Sequence, residues 1–191
     1  VSATTIVDLD GSLSSILNNK GHEFINSRIE DASFDHGYEV VLAFNLIEHV
    51  AQPDELLSKI RSLVVPGGVL ILQTPNFSSL DAKLFRNSSW GGFHAPRHWV
   101  IFSKESLERN LDRAGFSAWK VRYIQGAPFW TVGLLARFPK LRTSRERRNP
   151  MYQSRAFKAA LIAFGMLYVC QLALRRRTSQ LYAEAWVSRP D

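Results

Sequence analysis

Apolar residues along the chain follow two periods, one near 3.6 and one near 2, and the switches between them outline the elements. Leu13, Ile16 and Leu17 form a stripe that predicts a short helix over 8–20, with Asp8 and Asp10 in its first turn and Gly21 as its stop. Residues 23–29 read as a strand, and Asp35-His36-Gly37 as a turn. The run Val40-Val41-Leu42-Ala43-Phe44 predicts a strand over 39–45 that is covered on both faces, as in a parallel sheet. Pro53 opens a helix whose Leu56, Leu57, Ile60, Leu63 and Val64 make one wide apolar face, with Glu55 and Lys59 paired on the wet side. Pro66-Gly67-Gly68 ends it, and 69–74 is a second continuous apolar strand. Ser103 suits the N-cap of a helix carrying Leu107, Leu111 and Ala114, stopped by Gly115. Trp119, Val121 and Tyr123 alternate with Lys120 and Arg122, a half-buried strand over 117–124. A last strand spans 180–187. Five strands alternating with helices predict an α/β fold built on βαβ units.

Composition narrows the class without naming a function. The 191 residues are 46% hydrophobic and 21% charged, ordinary for a globular chain and unlike a disordered or low-complexity one. A lone cysteine, Cys170, excludes an internal disulfide framework and a cysteine-cluster metal site. The formal net charge of +7 points to an anionic partner: nucleic acid, phosphate or a membrane surface. Residues 1–20 hold no basic segment followed by an apolar run, so they do not read as a secretory signal. The sequence begins at Val1, with methionine only at 151 and 166, which reads as a processed chain or a fragment.

Ligands of open α/β sheets sit beyond the carboxyl ends of the strands. Polar groups gather there: Glu30-Asp31-Ala32 after the first strand, Asn45 to His49 after the second, Thr74-Pro75-Asn76 after the third. Tyr38-Glu39-Val40-Val41 followed by Asn45-Leu46-Ile47-Glu48-His49-Val50 and Pro53 resembles the fourth-strand region of class I S-adenosylmethionine-dependent methyltransferases. Leu63 to Gly68 and then Val69 to Asn76 resembles their Pro-Gly-Gly and Thr-Pro-Asn segment. Trp90-Gly91, His94 to His98, Phe102-Ser103 to Leu107 and Ala114-Gly115-Phe116 match a small-molecule branch of that family. The resemblance covers about residues 1–125 and the last strand. It implies a Rossmann-like sheet, N-terminally truncated, with a helical insertion before the last strand. The implied layout is a partial methyltransferase domain at 1–125, a basic and apolar helical insertion at 126–178, and the final strand at 179–191.

The family's Gly-rich loop, which cradles the methionine part of the cofactor, is absent from this sequence. Val1-Ser2 resembles the two residues just past the acidic end of the family's second strand, so two strands of the usual seven are expected to be missing. The expected consequence is two unpaired strand edges, an uncovered apolar face and weak cofactor binding. The resemblance implies S-adenosylmethionine as cofactor, held by Ser2, Glu30, Asp31, Ala32, Asn45 and Leu46, with the acid of Glu30-Asp31 meeting the adenine amino group. Histidine titrates near neutrality, so His94 and His49 are the candidate proton acceptors. Arg97 and His98 are candidate substrate contacts, Arg97 as an anion clamp. His94 and His98 lie four apart, but Pro96 breaks a helical register and no third ligand is evident, so no metal is expected there. Glu48-His49 reads as an acid/base pair, and the resemblance implies that in some relatives an equivalent pair helps hold a divalent metal.

The expected function is methyl transfer to a small-molecule or lipid- or glycan-linked acceptor, in the cytoplasm. Two alternatives stand beside it: a catalytically inactive methyltransferase-like fragment, and a basic nucleic-acid-binding module. The second is disfavoured because the basic residues concentrate near 137–177, beside an apolar run, and the Arg145-Glu146-Arg147-Arg148 run carries no interleaved aromatics. That run, 156–174, is close to the roughly 20 residues that cross a bilayer. It admits a spanning helix, an interfacial helix or a buried one. Basic flanks on both sides give no orientation, and spanning would part the last strand from its sheet. The reading carried forward is a helical appendage that rests peripherally on an anionic membrane surface.

Overall fold

The computed structural model describes residues 3–86, 89–94, 96–124, 126–174 and 177–189. Its first element is a strand that the sequence reading did not place. Thr5-Ile6-Val7, two of them β-branched aliphatics, extend into β1 (Thr5–Asp8), which pairs in parallel with β2 (Glu23–Asn26). The helix expected over 8–20 therefore starts later. Asp8 closes the strand, and Asp10 caps a single 3₁₀ turn at Gly11–Leu13 by accepting the Ser12 N–H. Helix α1 (Ser14–Asn19) follows and stops at Gly21, whose φ of +81° only glycine adopts freely. β2 is shorter than the predicted 23–29, because residues 27–32 turn back. The Arg28 carbonyl accepts from both Asp31 and Ala32 in that turn.

The second sheet has the order β3-β4-β6-β5. β3 (Tyr38–Phe44) runs parallel to β4 (Val64–Pro75), while β6 (Gln180–Trp186) is antiparallel to both β4 and β5 (Ala118–Ile124). β4 extends through Pro66-Gly67-Gly68 rather than beginning after it. The register against β3 jumps there, with Tyr38 opposite Val64 and Val40 opposite Val69, and Gly67 takes φ +82°. The helices α2 (Pro53–Leu63) and α4 (Lys104–Arg113) lie on one face. Leu56, Leu57 and Ile60 of α2 and Leu107 and Leu111 of α4 pack with Leu70, Leu72, Leu181, Ala183 and Ala185 in the main core. Ser103 and Ser106 close a reciprocal cap on α4.

The expectation that β3 is covered on both faces does not hold. Val40, Leu42 and Phe44 remain 50–59% exposed, because no described helix covers that face. The expectation of two missing strands is also corrected, since Thr5–Asp8 supplies one of them. Among the described residues the edges of β1 and β3 face each other unpaired, joined by the Tyr38 hydroxyl donating to Thr5 Oγ1 at 2.9 Å. Helix α3 (Leu80–Phe85), capped by Ser79, starts a second apolar cluster. Between β5 and β6 come α5 (Ala127–Arg137) and α6 (Arg155–Ala173), packed on each other by the stacked rings of Trp130 and Phe164.

Candidate functional site

The carboxyl ends of β1, β2, β3 and β4 present most of the residues that the sequence singles out. Asp8 ends β1 and is exposed. Its carboxylate accepts the Asp10 N–H at 2.8 Å, and its carbonyl accepts from Asn26 Nδ2 at 2.9 Å, so strand end and following turn are tied together. Glu30, Asp31 and Ala32 sit in the turn after β2. Lys59 of α2 donates to the Ala32 carbonyl at 2.9 Å and fixes that turn against the domain. An open groove runs between this turn and the start of α2, lined by Arg28, Glu30, Asp31, Val50, Gln52 and Glu55.

Asn45 follows β3 with φ +49°, a left-handed conformation that asparagine tolerates better than most residues. Its N–H donates to the Gln73 carbonyl, and its Oδ1 accepts from Gln180 Nε2 at 3.3 Å. Gln73 in turn donates to Gln180 Oε1. Three side chains from β3, β4 and β6 are thus locked into one polar rim. Leu46 is half-buried beside it. Sequence reasoning missed Gln73 and Gln180, because each lies in an apolar strand and only the pairing brings them together.

Beyond this rim the chain places a cluster of imidazoles. His49 and His98 meet edge to face at 4.6 Å between centroids, and His98 meets His94 likewise at 5.2 Å. His49 Nδ1 lies 3.0 Å from the Arg97 carbonyl, and His98 Nδ1 lies 2.7 Å from the Gly92 carbonyl. A carbonyl only accepts, so the neutral rings carry their protons on Nδ1 and leave Nε2 as a free lone pair. Burial, with the nearby charges of His49 and His94, lowers the His98 pKa, against the Gly92 hydrogen bond that raises it. His94 has φ +35°, and its carbonyl accepts the Arg97 N–H. The Arg97 side chain is exposed, and what it offers the His49 ring is its backbone carbonyl.

Beneath the rings lies Glu48, fully buried. Thr74 donates to its Oε2 at 3.0 Å, and its Oε1 has no hydrogen-bond partner among the described residues. Burial raises the Glu48 pKa, opposed by hydrogen bonds and by His49. The Glu48 carbonyl accepts from Trp99 and Val100, which seats the histidine loop on the end of β3. The ligand atoms of Glu48, His49 and His98 all lie within 4.8 Å of one another. The spacing of the histidines did not reveal this third group, because the loop, not a helix, brings it in. Ser2 lies outside the described residues.

The sequence matches the methyltransferase-domain family over residues 2–121. The chain belongs to that family. A search of curated proteins returns no match. Among solved structures, a SAM-dependent methyltransferase of Thermotoga maritima is similar at TM-score 0.56 and 13% identity, over 96% of this chain and 72% of that one. One from Archaeoglobus fulgidus is similar at 0.56 and 15%, over 95% and 74%. A phosphoethanolamine N-methyltransferase 2 of Haemonchus contortus is similar at 0.54 and 13%, but this chain covers only 49% of it. The Rossmann-like methyltransferase fold expected from the sequence is therefore the fold observed, and the family's cofactor is S-adenosylmethionine.

The residues of this methyltransferase fit the adenosine half of that cofactor. An exposed acid ends β1, where hydroxyls of a ribose would be held, and the acidic turn after β2 opens onto a groove. They do not supply the other half: the sequence contains no G-x-G spacing, so the cradle for the methionine part is not among these residues.

Proposed function

We propose that the protein transfers a methyl group from S-adenosylmethionine to an oxygen or nitrogen of a small-molecule or lipid- or glycan-linked acceptor that approaches along the histidine loop. The observation that carries this reading is the pair of backbone-oriented imidazoles, His49 following β3 and Asn45-Leu46, and His98 brought against it by the 90–99 loop. The bound cofactor supplies an electrophilic methyl on a sulfonium; the protein must align the acceptor and take its proton.

Asp8, at the end of β1, holds the ribose hydroxyls. Asp31 and Ala32 border the adenine, Leu46 walls it, and Asn45, held by Gln180, shapes the passage toward the acceptor. His49, with its Nδ1–H fixed on the Arg97 carbonyl, presents Nε2 as proton acceptor. His94, next along the ring chain, is the second candidate, and Arg97 faces solvent where an anionic acceptor group would arrive. In the test, S-adenosylhomocysteine formation is followed with panels of phenols, alcohols and primary amines. The reading expects turnover with one class, lowered about 10²–10⁴-fold by His49→Ala. Undiminished turnover in both His49→Ala and His94→Ala removes the proton-acceptor role.

A second reading rests on the unpartnered Oε1 of Glu48. Glu48, His49 and His98 form a donor set that suits a divalent cation, with both imidazoles oriented through Nδ1–H to carbonyls as metal-ligating histidines usually are. Manganese or zinc titration of the wild type and of His98→Ala decides it: binding in the first and not in the second supports the cation, and binding in neither leaves the metal-free base.

A further inference from the structure

α6 has one anchored face and one bare apolar face. On the inner side Phe164 stacks on Trp130 and Gln171 is buried, while Ser154 caps the N-terminus by accepting the Phe157 N–H. On the outer side Ile162, Met166 and Val169, spaced i, i+4 and i+7, are 68%, 63% and 64% exposed. The helix has a mean hydropathy of 1.7, and only 6% of its apolar stretch is buried. Soluble monomers rarely leave such a contiguous stripe in water.

The helix is long and apolar enough to cross a membrane, but the topology argues against crossing. β5 and β6 are paired neighbours, with Ile124 opposite Gln180, so the excursion between them leaves and returns on one side. A spanning α6 would need a second crossing. α5 has 11 residues, about 16 Å of helix against about 30 Å of hydrocarbon, and cannot provide it.

The charge around the stripe has one sign. Between residues 137 and 158 every charged residue except Glu146 is basic. Glu146 itself is engaged, accepting from Thr143 N–H, Thr143 Oγ1 and the Arg155 N–H. Arg142 and Arg147 donate to carbonyls of this loop and hold it folded. Arg155 and Lys158 are exposed and extend the stripe at its N-terminal end. At the other end the sequence continues into Arg175-Arg176-Arg177, of which Arg177 is described and lies half-exposed 3.3 Å from Glu105.

We infer that α6 docks lengthwise on an anionic bilayer, its Ile162–Met166–Val169 stripe sunk among the acyl chains and the basic N-terminal end, with Arg155 and Lys158, on the lipid phosphates. The inference does not rest on the methyl-transfer reading. Its test is co-sedimentation of the full chain with phosphatidylcholine vesicles, with and without phosphatidylglycerol. Binding is expected only with phosphatidylglycerol and falls as salt is raised. The exposed triple variant Ile162→Ser, Met166→Ser, Val169→Ser weakens binding more than about tenfold with unchanged circular dichroism. Arg155→Gln with Lys158→Gln weakens it at low salt. Failure to pellet with phosphatidylglycerol vesicles overturns the inference. So does equal pelleting of the triple variant, or a solution dimer that this variant splits while vesicle binding is unchanged.

Discussion

Trp130 is the side chain on which the hairpin of α5 and α6 depends. It is buried, meets Phe85 of α3 edge to face at 5.8 Å and stacks on Phe164 of α6 at 5.3 Å. Its cluster, with Ala82, Phe85 and Trp90, is separate from the main core of β4, β6, α2 and α4. Truncating a buried tryptophan to alanine costs about 3–5 kcal/mol. Trp130 Nε1 has no partner among the described residues, so Trp130→Ala also removes an unsatisfied buried donor, which places the cost at the lower end, about 3 kcal/mol. Because the cluster is a satellite, that loss falls on local opening of the hairpin, and about 3 kcal/mol raises the open population roughly 10²-fold. Hydrogen exchange read by mass spectrometry checks this. Residues 127–137 and 155–173 should exchange faster by about that factor, while β4 and β6 keep their protection. Unchanged exchange in the hairpin, or equal acceleration in every element, refutes the reasoning.

Ser154→Ala removes the cap of α6 and should cost about 1 kcal/mol, seen as faster exchange confined to the first turn of that helix. Burial raises the Glu48 pKa, so the folded chain holds that proton more tightly than the unfolded one. The stability from this group is complete below the ordinary carboxylate range and is lost as pH rises through the raised value. Urea denaturation across pH should therefore show Glu48→Gln gaining on the wild type as pH rises toward neutrality; parallel curves contradict the assignment. Asp8→Asn should weaken S-adenosylhomocysteine binding with little change in melting temperature, because Asp8 is exposed.

Much of the frame was legible because its signals are local. Pro53 with Leu56, Leu57 and Ile60 located α2, Ser103 located α4, and the alternation around Val121 located β5. β1 was not legible, since Thr5-Ile6-Val7 is too short to show a period and Asp8 and Asp10 imitate a helix start. β1 is a strand because β2 pairs with it. The site divides the same way. Asn45, His49, His94 and His98 stand out as polar residues at strand ends or in a loop. Gln73, Gln180 and the Glu48–His98 approach exist only once β6 has inserted between β4 and β5 and the 90–99 loop has folded back onto the Glu48 carbonyl.

In the proposed function, the carboxyl ends of β1, β2 and β3 form one adenosine-binding rim. Titration of S-adenosylhomocysteine into the ¹⁵N-labelled chain tests it most directly, since amide shifts register even weak binding. Such a rim predicts shifts at Asp8 to Asp10, Asp31-Ala32 and Asn45-Leu46, all abolished by Asp8→Asn. Shifts confined to other elements, shifts that survive Asp8→Asn, or no shifts at saturating ligand would contradict it.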